Sequence, residues 1–87
     1  MVRLWIKIIK NDKTVKEVVV ERDEKFDYAD FSDYITEGLY SLDEATPVII
    51  KNHIFNFAKY NVVRFLPSDF VESVDFDYVW VENLERE

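Results

Sequence analysis

Residues 27–42 (DYADFSDYITEGLYSL) carry a sustained helical periodicity. Apolar side chains recur there at the spacing of one helix face; they are Tyr28, Phe31, Tyr34, Ile35, Leu39 and Leu42. The other face of this predicted helix is acidic. A helix with a single apolar stripe must bury it against another element, and the rest of the chain has the patterns of β-strands. The sequence therefore predicts one amphipathic helix lying across a small sheet.

The start and the middle of this helix contain four informative residues. We expect Asp27 to cap its first turn, with Asp30 three residues later, and Phe26 to pack back on that turn. Gly38 is the single glycine of the chain and lies on the apolar stripe. Because glycine inside a helix costs about 1 kcal/mol relative to alanine, we interpret Gly38 as a point of close approach between helix and sheet. A hinge or a ligand notch is the alternative interpretation.

Length and composition restrict the class of protein. The 87 residues suffice for one domain, residues 1–87, and the 48% hydrophobic content excludes a disordered chain. The absence of cysteine excludes disulfides, a thiolate nucleophile and a cysteine-based zinc site. The apolar runs are too short to span a membrane, and the N-terminus has the pattern of a strand rather than of a signal peptide. We expect a cytoplasmic protein without membrane contact.

The charge is negative overall and unevenly distributed. The net charge is −7, but residues 1–25 hold seven basic and five acidic side chains, whereas residues 26–87 hold four basic and thirteen acidic ones. A largely acidic surface repels phosphate backbones, which disfavours a general nucleic-acid binder. Solubility is the simplest explanation of the net charge. The asymmetry also suits head-to-tail contact or a basic partner.

Residues 2–10 and 14–22 are two β-branched runs that predict an N-terminal hairpin. A two-residue loop would place Lys7 opposite Lys16, which is unfavourable. We therefore predict a three-residue loop, because its register brings opposite charges together; the expected pairs are Lys10–Thr14, Lys7–Glu17 and Arg3–Glu21. The second face of this hairpin then carries apolar side chains that need cover from the C-terminal part of the chain or from another subunit; they are Trp5, Ile9, Val15 and Val19.

The remaining chain predicts further strands. Residues 47–51 are expected to form a short central strand after Pro47, and residues 62–66 another strand. Between them, residues 52–60 favour a helical turn or irregular cover, with a strand containing Phe55 and Phe57 as the alternative, and Ser68 is expected to cap a single turn after Pro67. The last predicted strand, residues 74–82, alternates, so that Val74, Phe76, Tyr78 and Trp80 share one face. The predicted fold is α+β: a small single domain with an N-terminal β-hairpin and one amphipathic helix on a mostly antiparallel sheet of four to five strands.

Motifs for chemistry are scarce. The sequence contains no glycine-rich phosphate loop and no protease or hydrolase signature, so we predict no catalytic residue, no cofactor and no metal site. His53 is the single histidine and is interpreted as structural, with an acid–base role beside Asp69 or Lys51 as the alternative. Arg64 interrupts an apolar strand. We expect it to form an ion pair with Asp75 or Asp77, and binding of a ligand carboxylate is the alternative.

Aromatic residues supply the positive functional signal, since they make up 16% of a chain too short to bury all of them. Tyr and Trp are frequent interface anchors. We therefore expect a small protein–protein interaction module rather than an enzyme, with self-association as a homodimer as one form of the interaction; the candidate interface residues are Trp5, Val19, Tyr40, Phe57, Tyr60 and Trp80. One alternative is a small-ligand binder or minor enzyme that uses Arg64, His53 and a carboxylate. Another is weak nucleic-acid contact through the basic hairpin.

Overall fold

The computed structural model describes residues 1–85, which form one antiparallel sheet and two helices. The strands are β1 (Val2–Lys10), β2 (Lys13–Arg22), β3 (Val62–Phe65) and β4 (Tyr78–Asn83), in the sheet order β2-β1-β4-β3. The helices are α1 (Phe31–Ser41), which follows a 3-10 turn at Tyr28–Asp30, and α2 (Lys51–Tyr60). The predicted α+β fold and its N-terminal hairpin are confirmed, and α2 adds a second helix.

Both helices cover the same face of the sheet. Alternate residues of β1 point to that face and are buried, namely Val2, Leu4, Ile6 and Ile8. They join the inward side chains of β4 and the apolar stripe of α1 in one core cluster. From α2, Phe57 reaches this cluster, with its ring centroid 5.0 Å from that of Phe31. The core therefore lies between the sheet and a layer of two helices.

Gly38 marks the close approach of α1 to the sheet, as the sequence predicts. A Cβ atom built on Gly38 would overlap Cδ1 of Ile6 and lie 3.0 Å from Cγ2 of Val20. At the start of the helical region, the Asp27 carboxylate accepts a hydrogen bond from the Ala29 N–H at 2.9 Å. Asp27 therefore caps the 3-10 turn, and Asp30 precedes α1 without a side-chain cap bond.

The hairpin register is the predicted one along most of its length and differs at the turn. The opposite-charge pairs Arg3–Glu21 and Lys7–Glu17 are confirmed. The expected pair Lys10–Thr14 is wrong, because Lys10 lies opposite Lys13.

The turn explains this difference. It has two residues, Asn11 and Asp12, with φ of 54° and 62°, the left-handed geometry that a tight hairpin requires. The register then shifts between Ile8 and Ile9, which leaves Val15 as the extra residue of a β-bulge. The bulge restores the register that places opposite charges together.

The segment predicted as a central strand is irregular. Residues 47–50 form no strand, and their backbone is held by the hydrogen bond from the Val48 N–H to the Asp69 carbonyl at 2.7 Å. The α2 helix begins directly afterwards, which confirms a helical structure for residues 52–60 and extends it beyond one turn. The short turn after Leu66 also differs from the prediction. Its side-chain contact comes from Asp69, whose carboxylate accepts from the Leu66 N–H at 2.8 Å, rather than from Ser68.

The last strand begins later than predicted, and its alternation changes at that point. Phe76 is 3% exposed in the core, whereas Tyr78 and Trp80 lie on the opposite face of the sheet, so the predicted common face of these rings is wrong. The two preceding carboxylates face the hairpin. Asp75 pairs with Lys10 at 3.4 Å, and Asp77 accepts from the Asn11 N–H at 2.8 Å. The expected ion pair between these carboxylates and Arg64 is therefore also wrong.

Candidate interaction surface

The second face of the sheet is the candidate site, and we call it the open face. It is formed by the outward residues of all four strands: Glu17, Val19 and Glu21 of β2; Arg3, Trp5, Lys7 and Ile9 of β1; Tyr78, Trp80 and Glu82 of β4; Val62 and Arg64 of β3. Both helices of the described chain lie on the other side. Among these residues only Ile9, at 8%, is buried, and Val19 is 39% exposed.

A lysine between two tryptophans lies at the centre of the open face. The Lys7 ammonium is 4.0 Å from the ring centroid of Trp5 and 5.6 Å from that of Trp80. Both distances are within the range of cation–π attraction. Lys7 and Trp80 are direct cross-strand partners on β1 and β4, so the strand register fixes this arrangement.

Carboxylates fix both indole rings. The Trp5 Nε1–H donates to Glu17 Oε1 at 3.0 Å, and the Trp80 Nε1–H donates to Glu82 Oε1 at 3.1 Å. Since each indole donor already has an acceptor within the chain, a partner would meet apolar ring surface with no unsatisfied N–H group. Such a preorganised aromatic surface loses little side-chain entropy on binding.

The charges of the open face alternate from strand to strand. Its β2 residues are acidic (Glu17 and Glu21), and its β1 residues are basic (Arg3 and Lys7). On the other half of the sheet, β4 contributes Glu82 and β3 contributes Arg64. Some of these charges already interact within the chain, as in the pair between Arg3 Nε and Glu21 Oε2 at 3.8 Å. The face thus has equal numbers of acidic and basic side chains despite the net charge of −7.

An open cleft of about 360 Å³ lies at the β3 edge of the open face. Tyr60, at the end of α2, and Trp80 both line the cleft; the other lining residues are Asn56, Val62, Val63 and Arg64. The Arg64 guanidinium is 5.5 Å from the ring centroid of Tyr78. The cleft joins the predicted interface residue Tyr60 to the aromatic centre of the open face.

His53 lies in a different place and has a structural arrangement. Its Nδ1 accepts from the Ile50 N–H at 3.0 Å at the start of α2, so the proton of the neutral ring is on Nε2. Nε2 faces Asp69 Oδ2 at 3.4 Å, and the ring packs on Phe65 with centroids 4.6 Å apart. Because Phe65 belongs to the covered face and Arg64 to the open face, the structure does not bring the two predicted ligand residues together.

The predicted interface residues divide into three groups. Trp5, Val19 and Trp80 lie on the open face, and Tyr60 borders it. Tyr40 is 85% exposed on α1, on the helical side of the molecule. Phe57 is 1% exposed, so its prediction as an interface residue is wrong; the apolar periodicity of α2 places it in the core.

Lys7 and Tyr78 were not predicted for this surface, and Ile9 was predicted only as an apolar residue that needs cover. A signal for Lys7 and Ile9 was available, because alternation along β1 places them on the same face as Trp5. Tyr78 lies two residues before Trp80, and the same rule groups them. The approach of Lys7 to both tryptophans depends on the pairing of β1 with β4, which the sequence did not reveal.

Residues 1–85 contain no group of three or more His, Asp or Glu side chains that could hold a metal ion. Neither described helix is long and apolar enough to cross a membrane. Comparisons with protein-family models, with curated proteins and with solved structures found no match to this chain.

Proposed function

We propose that this protein is a small interaction module that binds a protein partner through the open face of its sheet. The observation that carries this proposal is the difference between the two faces: two helices cover one, while on the other Trp5 and Trp80 lie partly exposed around Lys7. Clustered Trp side chains on a rigid sheet are typical of the hot spots of protein interfaces.

The charge pattern favours a protein over a nucleic acid. A single-strand binder combines stacking rings with a positive groove for the phosphates. On the open face, the cations are accompanied by an equal number of carboxylates, and two of these, Glu17 and Glu82, hold the tryptophan rings. Phosphates approaching Trp5 or Trp80 would therefore meet negative charge beside each ring.

A small acidic ligand in the cleft is the second candidate, because Arg64 lines the cleft together with the side chains of Tyr60 and Asn56. A guanidinium is well suited to bind a carboxylate through two hydrogen bonds. This candidate predicts a ligand-induced rise in melting temperature that Arg64→Ala removes and His53→Asn retains.

Site-specific photo-crosslinking in cells tests the main proposal. A benzophenone side chain at position 19 lies on the open face, and the matched control at position 40 lies on the exposed side of α1. We expect covalent protein adducts from position 19 and none from position 40. Trp80→Ala in the same chain is expected to abolish the adducts while circular dichroism shows a folded protein.

Equal adduct yields at positions 19 and 40 would contradict the proposal, because they would report random collision. Adducts that survive Trp80→Ala would also contradict it, since the aromatic centre would then have no part in binding. The mass of the adduct identifies the partner class: twice the mass of this chain indicates a second copy, and any other mass indicates a different protein.

A further inference from the structure

The charges of the open face have a self-complementary order. Across the sheet the strands β2, β1, β4 and β3 carry acidic, basic, acidic and basic side chains. Reversing this order gives basic, acidic, basic and acidic. A second copy laid face to face about a two-fold axis that runs parallel to the strands, between β1 and β4, would therefore place β2 over β3 and β1 over β4, and the charges that meet directly are Glu17 and Arg64.

From this order we infer that the partner of the open face is the same face of a second copy, an inference that rests on the proposed function. A two-fold axis parallel to the strands leaves the position of each residue along the strand direction unchanged. Residues that are cross-strand neighbours in one copy form a row, and each row therefore faces the same row of the second copy in reverse order. The row Glu17–Lys7–Trp80–Arg64 then places Glu17 over Arg64 of the second copy and Lys7 over its Trp80 ring.

Neighbouring rows match in the same way. The row Val19–Trp5–Glu82–Val62 brings Val19 against Val62 of the second copy. In the next row, Ile9 meets Tyr78. Each of these rows thus contains an apolar contact between the copies, Trp5 lies over Glu82 of the second copy, and Glu17 lies over its Arg64. The alternative in-plane axis, perpendicular to the strands, would place Glu17 and Glu21 over the same acidic strand and is disfavoured by repulsion.

The size of the face limits the area that this dimer can bury. The strands lie about 4.8 Å apart and range from about 13 Å (β3) to about 33 Å (β2) in length, which gives a face of roughly 400–550 Å² per copy. The total of about 1,000 Å² is at the lower limit of specific interfaces. We therefore expect a reversible dimer with a dissociation constant in the micromolar range or weaker.

A charge-swap experiment tests this arrangement on the full chain. Sedimentation equilibrium is measured for the wild type, for Glu17→Arg, for Arg64→Glu, and for an equimolar mixture of the two variants. In each variant alone, the dimer contains two like-charge contacts, and we expect dimerisation to weaken at least about 10-fold. In the mixed dimer both contacts are again between opposite charges, so the mixture is expected to dimerise like the wild type.

Two further variants serve as matched controls, and a second pair of interface variants replaces the first if Glu17→Arg does not fold. Asp33→Arg on α1 and Lys25→Glu before it reverse the same charges outside the open face and should leave dimerisation unchanged. Glu17→Arg removes the acceptor of the Trp5 N–H, so its fold is checked by urea unfolding. If Glu17→Arg unfolds, the pair Val19→Glu and Val62→Lys replaces it, and only their mixture should gain an ion pair across the interface.

The outcomes separate this inference from the proposed function. A wild type that stays monomeric up to roughly 1 mM overturns the second-copy inference, as does a mixture that dimerises no better than its components. The proposed function survives either result if position 19 still yields Trp80-dependent adducts with another protein. The proposed function falls together with the inference if position 19 yields no adduct that depends on Trp80.

Discussion

The two faces of the sheet are built from neighbouring residues of the same strands and yet have different compositions. Within β1, Ile6 lies in the core, and its neighbours Trp5 and Lys7 lie on the open face. The covered face is almost purely apolar, whereas the open face combines tryptophan, valine and paired charges. We therefore expect the covered face to determine stability, and we propose that the open face serves for contact with another surface. Substitutions on the two faces should therefore affect different measurements.

The largest difference in the free energy of unfolding is expected between Ile6→Ala and Trp5→Ala. Ile6 is fully buried, and its truncation leaves a cavity that should lower the free energy of unfolding by about 2–5 kcal/mol. Trp5→Ala removes the larger side chain, but from a partly exposed position, and should cost less than about 2 kcal/mol. Urea unfolding of both variants measures the difference. A larger loss for Trp5→Ala would show that the open face is part of the core.

The next effect concerns the single polar side chain among the buried residues of the described chain, His53. His53→Ala removes the acceptor of the Ile50 N–H and the partner of Asp69, and should cost about 1–3 kcal/mol. Asn52→Ala, at an exposed neighbouring position of α2, is the control and should change stability by less than about 0.5 kcal/mol. Equal effects of the two substitutions would contradict a structural role for His53.

A smaller effect is expected where α1 touches the sheet. Gly38→Ala gains about 1 kcal/mol of helix propensity, but overpacking against Ile6 and Val20 costs about 1–3 kcal/mol, so a net loss of about 1 kcal/mol is expected. Ile6→Val removes Cδ1, the atom that the new methyl group would overlap. In a double-mutant cycle measured by urea unfolding, Gly38→Ala should therefore be less destabilising in the Ile6→Val background. Additive effects would contradict close packing at this point.

Much of the covered face could be predicted from the sequence, because burial leaves a periodic signal. The stripe of α1, the alternation of β1 and the role of Gly38 all follow from the requirement that apolar surface be buried. The charge pairs of the hairpin likewise selected the correct register for Lys7 and Glu17. These features depend on residues that are close in sequence or directly paired.

The errors occurred where long-range contacts decide the structure. Residues 48–50 have β-branched side chains but lie in an irregular segment, where the Val48 N–H donates to the Asp69 carbonyl and the Ile50 N–H donates to His53 Nδ1. Phe76 fitted the alternation of the predicted last strand. In the structure its ring is buried in the core, and β4 begins two residues later, at Tyr78. The grouping of Lys7 with Trp80 required the position of β4 beside β1, and no local pattern specifies strand order.

The smallest effect is expected at the sheet edge, where Lys16 of β2 reaches over to the end of α1. Its ammonium donates to the Leu42 carbonyl at 3.0 Å and pairs with Glu44 at 2.8 Å. The hydrogen bond to Glu44 raises the pKa of Lys16, because it favours the protonated form in the folded state. This stabilisation is therefore complete at neutral pH and is lost as the pH rises through the raised pKa.

A comparison of the wild type with Lys16→Met across pH isolates this contribution. The variant should melt at a slightly lower temperature at pH 7, and the difference should shrink above about pH 10.4, the ordinary pKa of lysine. Lys25→Met, at an exposed position before α1, is the control and should show little difference at any pH. If the deficit of Lys16→Met stayed constant into the alkaline range, the hydrogen bond from the Lys16 nitrogen to the Leu42 carbonyl rather than the charge of Lys16 would hold β2 to the covering helix, because methionine keeps a similar apolar chain and a neutral amine still donates. The edge of the sheet would then be held by a polar contact that does not depend on charge, unlike the apolar packing of the covered face.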